Sequence, residues 1–187
     1  MTAQNFKSAA ELLAKYEEEA GIKLKAPINV DDLAKFLNVR VEEDISLELE
    51  DAIGQICFHD GDEAVVSINP IQNSYEPRRR FTLAHELGHF CLHTDKVKSG
   101  FKDNRKTMSR SLSYWDSKES EANSFAAQLL MPRNLILEHG QEVIDEYKAR
   151  HGVSAMPAAI FTARLASLFK VSNKAMEYRL KNLDIIK

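Results

Sequence analysis

The sequence predicts a mostly helical α+β protein with a small antiparallel sheet. Several segments place apolar residues three and four positions apart, the spacing of one face of a helix. Two β-rich runs, 52–58 and 64–68, flank the turn signal Asp60-Gly61 and predict a hairpin. The tail 165–180 has the pattern of two helices joined by a turn, so we expect a helix-turn-helix-like C-terminal part.

The element boundaries are predicted from residues typical of helix and strand ends. An amphipathic helix ends at Gly21, Asp31 caps a short second helix, and Pro77 begins the third. A strand starts at 39–41, before the hairpin. The predicted helices cover, in order, residues 8–20, a segment after Asp31, 77–93, 117–131 and 134–150, and then the two in the tail.

Length and composition exclude some classes of protein. A chain of 187 residues is long enough to bury a core around a site. No apolar run approaches the length of a membrane span, and the polar start has no signal-peptide core. Two cysteines, Cys57 and Cys91, make no disulfide framework and are expected to be reduced core residues. We expect a cytoplasmic protein without a membrane partner, and nothing in the sequence indicates an oligomeric state.

Charge is unevenly distributed along the chain. Residues 41–77 contain ten acidic residues and no Lys or Arg, whereas residues 78–118 contain ten basic residues and four acidic ones. One interpretation is two solvated faces. The other is an acidic wall beside an active site, which would favour a basic substrate.

The segment 81–93 carries the strongest chemical signal. It contains His85-Glu86-Leu-Gly-His89, and three of the six histidines of the chain lie in it. Because residues four apart share one face of a helix, His85 and His89 offer two nitrogens to one tetrahedral metal. Glu86 lies within reach of a water molecule, which completes the two-ligand-plus-base half of a zinc hydrolase site. The expected cofactor is Zn²⁺. The alternative is two histidines packed on an amphipathic helix beside an unrelated glutamate.

The third metal ligand is expected on the helix at 117–131, which offers Glu119 and Glu121. At about 100° per residue, Glu119 lies on the apolar face of that helix and Glu121 on its polar face. We therefore assign Glu119. The open alternative is a capping box between Asp116 and Glu119, which would leave the third position to Glu121, His93 or a distant residue.

Two further residues are candidates for support of the ligands. Asn123 lies one turn after Glu119 and could orient a metal-binding histidine. His93 lies a turn beyond His89, where it either supports a ligand or places a positive charge at the helix C-terminus.

Two stretches of the chain resemble the ImmA/IrrE-type metallopeptidases. They are Arg80-Phe-Thr-Leu-Ala-His-Glu-Leu-Gly-His-Phe-Cys-Leu-His93 and Glu119-x-Glu-Ala-Asn-x-Phe-Ala-Ala-x-Leu-Leu-Met-Pro132, and residues 27–34 and 68–69 are also similar to that family. The resemblance implies a zincin-like metallopeptidase domain at 1–132 and a helical, helix-turn-helix-like subdomain at 133–187. It implies metal ligands at His85, His89 and Glu119, with Glu86 as the base. Related zincins have Asp where this chain has Asn123, and a neutral partner polarises a ligand histidine less.

The resemblance also implies a function. We expect a zinc-dependent endopeptidase that cleaves a helix-turn-helix transcriptional repressor and so relieves repression of stress or mobile-element genes. The strand at 64–68 could hold the substrate by strand addition, through Val66, Ser67 and Ile68. The aperiodic stretch 94–117 lies between the two metal-binding elements, and we interpret it as a lid.

The alternative function is a DNA-binding or adaptor/antitoxin module with a structural or vestigial metal site. The helix-turn-helix-like tail suggests it. However, residues 161–187 contain only six basic residues against two acidic ones, so we do not expect direct DNA binding.

Overall fold

A computed structural model describes residues 6–59, 63–93, 101–104 and 114–187, which form helices packed around one small sheet. The described helices are α1 (Ala9–Ala20), α2 (Val30–Phe36), α3 (Glu76–Leu92), α4 (Tyr114–Leu130), α5 (Arg133–His151), α6 (Ala158–Phe169) and α7 (Asn173–Asn182). The described strands are β1 (Val39–Glu43), β2 (Ala52–His59), β3 (Glu63–Ile68) and β4 (Phe101–Asn104), and a 3-10 helix covers Ile45–Glu50. The predicted mostly helical α+β class is confirmed.

The sheet has the strand order β1-β3-β2-β4 and is mixed. The predicted hairpin is confirmed, because β2 and β3 pair antiparallel. The prediction of an antiparallel sheet is wrong for β1, which pairs parallel to β3 with Glu43 opposite Ile68. The 3-10 helix at 45–50 carries the chain past the end of β3, from β1 on one side to β2 on the other. β1 ends and β2 begins at the same end of β3, so these two strands run in opposite directions. Because β2 is antiparallel to β3, β1 is parallel to β3.

The position of β3 contradicts the predicted role of Val66, Ser67 and Ile68 in strand addition. β3 is hydrogen-bonded to β1 on one side and to β2 on the other, so both of its edges are already used. All three side chains are buried. The outer edges of the described sheet belong instead to β1 and β4.

Local residue chemistry accounts for several helix ends. Ser8 and Ser172 cap α1 and α7, and Gly21 ends α1 in the left-handed conformation that favours glycine. The cap predicted at Asp31 is wrong. Asn29 caps α2 through the backbone N–H of Asp32, and Asp31 lies in the first turn.

Helix α3 is the central element of the fold. It contacts β2 and β3 on one side, α4 on another, and α2 near its beginning. Its buried apolar residues join one core that extends from Phe6 to Leu180. No helix among the described residues is both long and apolar enough to cross a membrane.

Two arginines, the buried Arg80 and the half-buried Arg179, attach the C-terminal helices to the rest of the chain. Arg80 of α3 donates hydrogen bonds to the carbonyl oxygens of Ile28, at 2.8 Å, and Lys170, at 3.2 Å. Arg179 of α7 donates to the carbonyl oxygen of Met131 at 3.0 Å. The α6–α7 unit therefore packs onto α3 and α4. The domain boundary after Pro132 stays a prediction.

Replacing Arg80 with Ala should lower the free energy of unfolding by about 3 kcal/mol, because the buried carbonyl group of Ile28 and the partly buried one of Lys170 lose a charged donor. Arg150→Ala is the control, because Arg150 is exposed on α5, and it should change stability by less than about 0.5 kcal/mol. Chemical denaturation followed by circular dichroism measures both. Equal destabilisation by the two variants would contradict the anchoring role of Arg80.

Candidate metal centre

Helices α3 and α4 approach each other closely at Gly88. A Cβ atom added there would lie 3.2 Å from both the Cα and the carbonyl oxygen of Ala122, and 3.3 Å from Cβ of Phe125. Glycine is unfavourable inside a helix by about 1 kcal/mol relative to alanine, so its presence requires a reason. The reason is this contact, which brings the face of α4 that carries Glu119 and Asn123 against the histidines of α3.

Three buried side chains converge between the two helices. The Nε2 atoms of His85 and His89 lie 3.0 Å apart. The carboxylate oxygens of Glu119 lie 3.3 Å from each of them. These three residues form a group able to hold a metal ion. The structure thus brings together the three residues that the sequence predicts as metal ligands.

The spacing of the donor atoms fits a tetrahedral ion. Two ligand atoms held about 2.0–2.1 Å from zinc at the tetrahedral angle lie about 3.3 Å from each other. The observed separations of 3.0 and 3.3 Å match this value. Oε2 of Glu119 is buried and, within the described part of the chain, has no partner in hydrogen-bond geometry. A cation at the centre of the group would satisfy that oxygen.

Each histidine is oriented by a partner on its other ring nitrogen. Nδ1 of His85 lies 3.1 Å from Oδ1 of Asn123, and an amide oxygen only accepts hydrogen bonds. His85 therefore carries its proton on Nδ1 and presents the lone pair of Nε2 to the centre. This is the tautomer that a metal ligand needs.

A longer chain of hydrogen bonds supports His89. Its Nδ1 lies 3.2 Å from Nδ1 of His93, whose Nε2 lies 3.0 Å from Oε2 of Glu121. Burial lowers the pKa of His93, against the opposing effect of Glu121. With His93 neutral, His89 donates to it and it donates to the Glu121 carboxylate. His93 and Glu121 thus lie behind His89, and neither points into the centre.

The environment of Glu119 favours its ionised form. Burial raises the pKa of its carboxyl group, but protons on Nε2 of His85 and His89 outweigh this effect and hold the pKa well below its ordinary value, and a cation bound between the three residues takes the place of those protons. An ionised carboxylate is the form that binds a cation. The alternative capping box is not formed, because α4 begins at Tyr114, which places Asp116 inside the helix.

The carboxylate of Glu86 faces the sheet, at a place where β2 has a glycine. A Cβ atom on Gly54 would lie 2.8 Å from Oε1 of Glu86 and 2.7 Å from Cγ2 of Thr82. A side chain at position 54 would therefore displace the predicted base. Gly54 is not among the site residues predicted from the sequence, although an isolated glycine in a strand is a known sign of close approach.

The turn before α3 holds Gly54 close to Glu86, and its residues were not predicted from the sequence as part of the site. Nδ2 of Asn73 donates to the carbonyl oxygen of Ile53 at 2.9 Å, and its Oδ1 accepts from the hydroxyl of Thr82 at 2.7 Å. Nδ2 of Asn69 donates to the carbonyl oxygen of Ala52 at 2.8 Å. These bonds hold the start of β2 against the face of α3 that carries Glu86.

The acidic segment 41–77 contributes hydrogen bonds within the fold. Several residues of the acidic segment have structural roles: Glu48 accepts hydrogen bonds from Asn69 and Gln72, and Glu42 from Ser67.

The predicted lid at 94–117 falls mostly on residues 94–100 and 105–113, which lie outside the described residues.

The chain matches a known protein family and is similar to a phage protein. Residues 57–181 match the family described as Peptidase_M78, IrrE N-terminal-like domain. A protein of Bacillus phage phi105 called uncharacterized immunity region protein 2 is 30% identical over 136 residues, which cover 72% of this chain and 79% of that protein. The family match contains the whole candidate metal centre.

Replacing Gly88 with Ala should weaken metal binding, because α4 must move away from α3 and carry Glu119 with it. We expect a loss of about tenfold in affinity, the lower end for changes in residues that support metal ligands. Competition with a chromophoric chelator measures it. Gly140→Ala is the matched control, since the added Cβ would meet only the side chain of Phe161. Unchanged affinity in Gly88→Ala would remove the proposed reason for this glycine.

Replacing Glu119 with Ala should abolish stoichiometric metal binding, whereas Glu121→Ala should retain the metal with about tenfold lower affinity. The difference arises because Glu119 faces the centre and Glu121 acts through His93. Mass-spectrometric metal analysis after dialysis separates the two results. Full metal content in Glu119→Ala would place the third ligand elsewhere.

Proposed function

The chain belongs to the Peptidase_M78 family of IrrE N-terminal-like domains, as the sequence resemblance predicts, and on this premise we propose that it is a zinc-dependent endopeptidase. Family membership supports a peptidase that acts on a protein substrate. The observation that carries the proposal is the convergence of buried His85, His89 and Glu119 between α3 and α4. Two imidazoles and one carboxylate are a ligand set typical of catalytic zinc.

In the proposed mechanism the residues of the chain hold the metal and move a proton. A zinc ion bound by His85, His89 and Glu119 supplies Lewis-acid polarisation of the scissile carbonyl and lowers the pKa of the attacking water. Glu86 accepts the proton of that water and later donates it to the leaving nitrogen. Asn123 keeps His85 in the tautomer that binds the metal, and His93 with Glu121 does the same for His89.

A substrate that binds as an added strand needs a free edge of the sheet close to Glu86. β4 pairs with β2, with Asp103 opposite Gly54, and its other side forms an outer edge of the described sheet. Gly54 in turn lies beside Glu86. We therefore place an extended substrate on the outer edge of β4, in place of the strand addition to β3 that the sequence suggested.

The proposed substrate is a helix-turn-helix transcriptional repressor. The name of the phage relative assigns it to an immunity region, and we carry a regulatory setting over to this chain. Cleavage of the repressor would relieve repression of stress or mobile-element genes. The reaction would take place in the cytoplasm, where the repressor acts and where the two free cysteines stay reduced.

The second candidate is a DNA-binding or adaptor module with a structural metal, and the α6–α7 unit favours it. The charges of α7 weigh against it. Lys174 and Lys181 both pair with Glu177, and Arg179 donates to the carbonyl oxygen of Met131. Duplex binding that falls steeply with salt and requires Lys174 would support this candidate.

Replacing Glu86 with Gln should leave metal content unchanged and lower the cleavage rate by about 10²–10⁴-fold, the contribution of a positioned acid–base group. Tagged Glu86→Gln and wild-type proteins are incubated with an extract of the source cells, and mass spectrometry identifies what the variant retains and what the wild type cuts. A regulator retained by the variant and clipped by the wild type is the expected result.

Glu146→Gln provides the matched control, because it makes the same change of charge at an exposed position of α5. It should cleave like the wild type. A metal-loaded Glu86→Gln protein that cleaves at the wild-type rate would exclude Glu86 as the base. Retention of an intact partner by both forms would favour the adaptor function.

A further inference from the structure

A groove of about 630 Å³ lies between the first half of α3, the second half of α4 and helix α7. Its volume is in the range of sites that bind ligands or large side chains. The wall formed by α7 means that the C-terminal unit takes part in a concave surface. Residues that represent the three walls are Arg78 and Phe81, Asn123 and Met131, and Lys174 and Tyr178.

The groove extends to the metal centre. Asn123 lines it, and the same side chain accepts the hydrogen bond from Nδ1 of His85. Phe81 also lines it, one helical turn before His85, and the two rings stack with centroids 6.5 Å apart. A segment bound in the groove would therefore lie directly beside one of the metal ligands.

The groove is lined by apolar side chains and by positively charged ones. Phe81, which is half-buried, and the exposed Tyr75 and Tyr178 supply apolar surface. The charged side chains among its described lining residues are Arg78, Lys174 and Arg179, and none is acidic. Lys174 also pairs with Glu177 and lies over the ring of Tyr178. The net charge of the whole chain is −3, so this surface differs in sign from the molecule as a whole.

We propose that this groove binds a segment of the protein substrate in which acidic side chains alternate with large apolar or aromatic ones. This inference rests on the proposed peptidase function. Apolar side chains would pack on Phe81 and Tyr75, and the carboxylates would pair with Arg78 and Lys174 at the rim. α7 would then select the substrate, and its basic residues would serve peptide recognition. This is the opposite charge preference to a basic substrate guided by an acidic wall.

The test measures binding separately from cleavage. Zinc-loaded Glu86→Gln protein is titrated into two fluorescein-labelled twelve-residue peptides, one alternating Glu with Phe and Leu, the other with Lys in place of every Glu. Fluorescence anisotropy should show at least about tenfold tighter binding of the acidic peptide. Equal affinity for the two peptides would overturn the proposal.

Charge reversal locates the binding. Arg78→Glu combined with Lys174→Glu should weaken binding of the acidic peptide by about tenfold or more, because like charges now face it. Lys148→Glu combined with Arg150→Glu is the matched control, since it makes the same change of net charge on α5. Circular dichroism and metal content should be unchanged in both double variants. Equal loss of binding in the two would show a non-specific charge effect and overturn the proposal.

Two further results separate this inference from the proposed function. If the wild type cleaves a substrate and the Arg78/Lys174 double variant cleaves it with unchanged kcat/KM, the groove inference fails and the peptidase stands. If the groove binds the acidic peptide as expected but no protein is ever cleaved, the peptidase function fails instead. Displacement of the peptide by duplex DNA at physiological salt would reassign the groove to nucleic acid and overturn the proposal.

Discussion

The structure depends on the close contact of α3 and α4 at Gly88. Metal-binding side chains are short, so two helices must approach to within the reach of an imidazole and a carboxylate before their donor atoms meet. Gly88 removes the side chain that would keep α4 away, and Ala122 presents a small residue opposite it. Glu119 and Asn123 lie on either side of Ala122 in the chain. The helix contact therefore places both at once, one facing the centre and one behind His85.

The polar groups around the centre are connected by hydrogen bonds. Burying His85, Glu86, His89 and Glu119 in one place is costly unless hydrogen bonds or a cation compensate. Asn123 supports one histidine. His93 and the Glu121 carboxylate support the other. Asn123, the partner of His85, is neutral, whereas the chain of hydrogen bonds behind His89 ends at a carboxylate. This asymmetry implies that the ring of His89 is the more strongly polarised of the two.

The C-terminal helices pack against the rest of the protein and line a groove. From the sequence alone, α6 and α7 are predicted to form a helix-turn-helix-like pair. In the structure, α7 is attached through Arg179 to the end of α4, and Arg80 attaches the end of α6 to α3. One face of α7 becomes a wall of a groove that begins at Asn123. The helix pair thus lies beside the candidate metal centre, with α7 lining the groove that leads to it.

The sequence by itself determined the local features of this protein. His85, Glu86 and His89 follow from helical spacing alone, and helical angles place Glu119 rather than Glu121 on the face that meets His85 and His89 in the structure, because neighbours along a helix have fixed relative directions. The hairpin and the two-helix tail are local for the same reason. Only the tertiary structure decided that β1 runs parallel to β3, that Gly54 lies beside Glu86, and that α7 faces α3 and α4. These relations join residues that are far apart in the chain, and they arise from how whole elements pack, which no local pattern encodes.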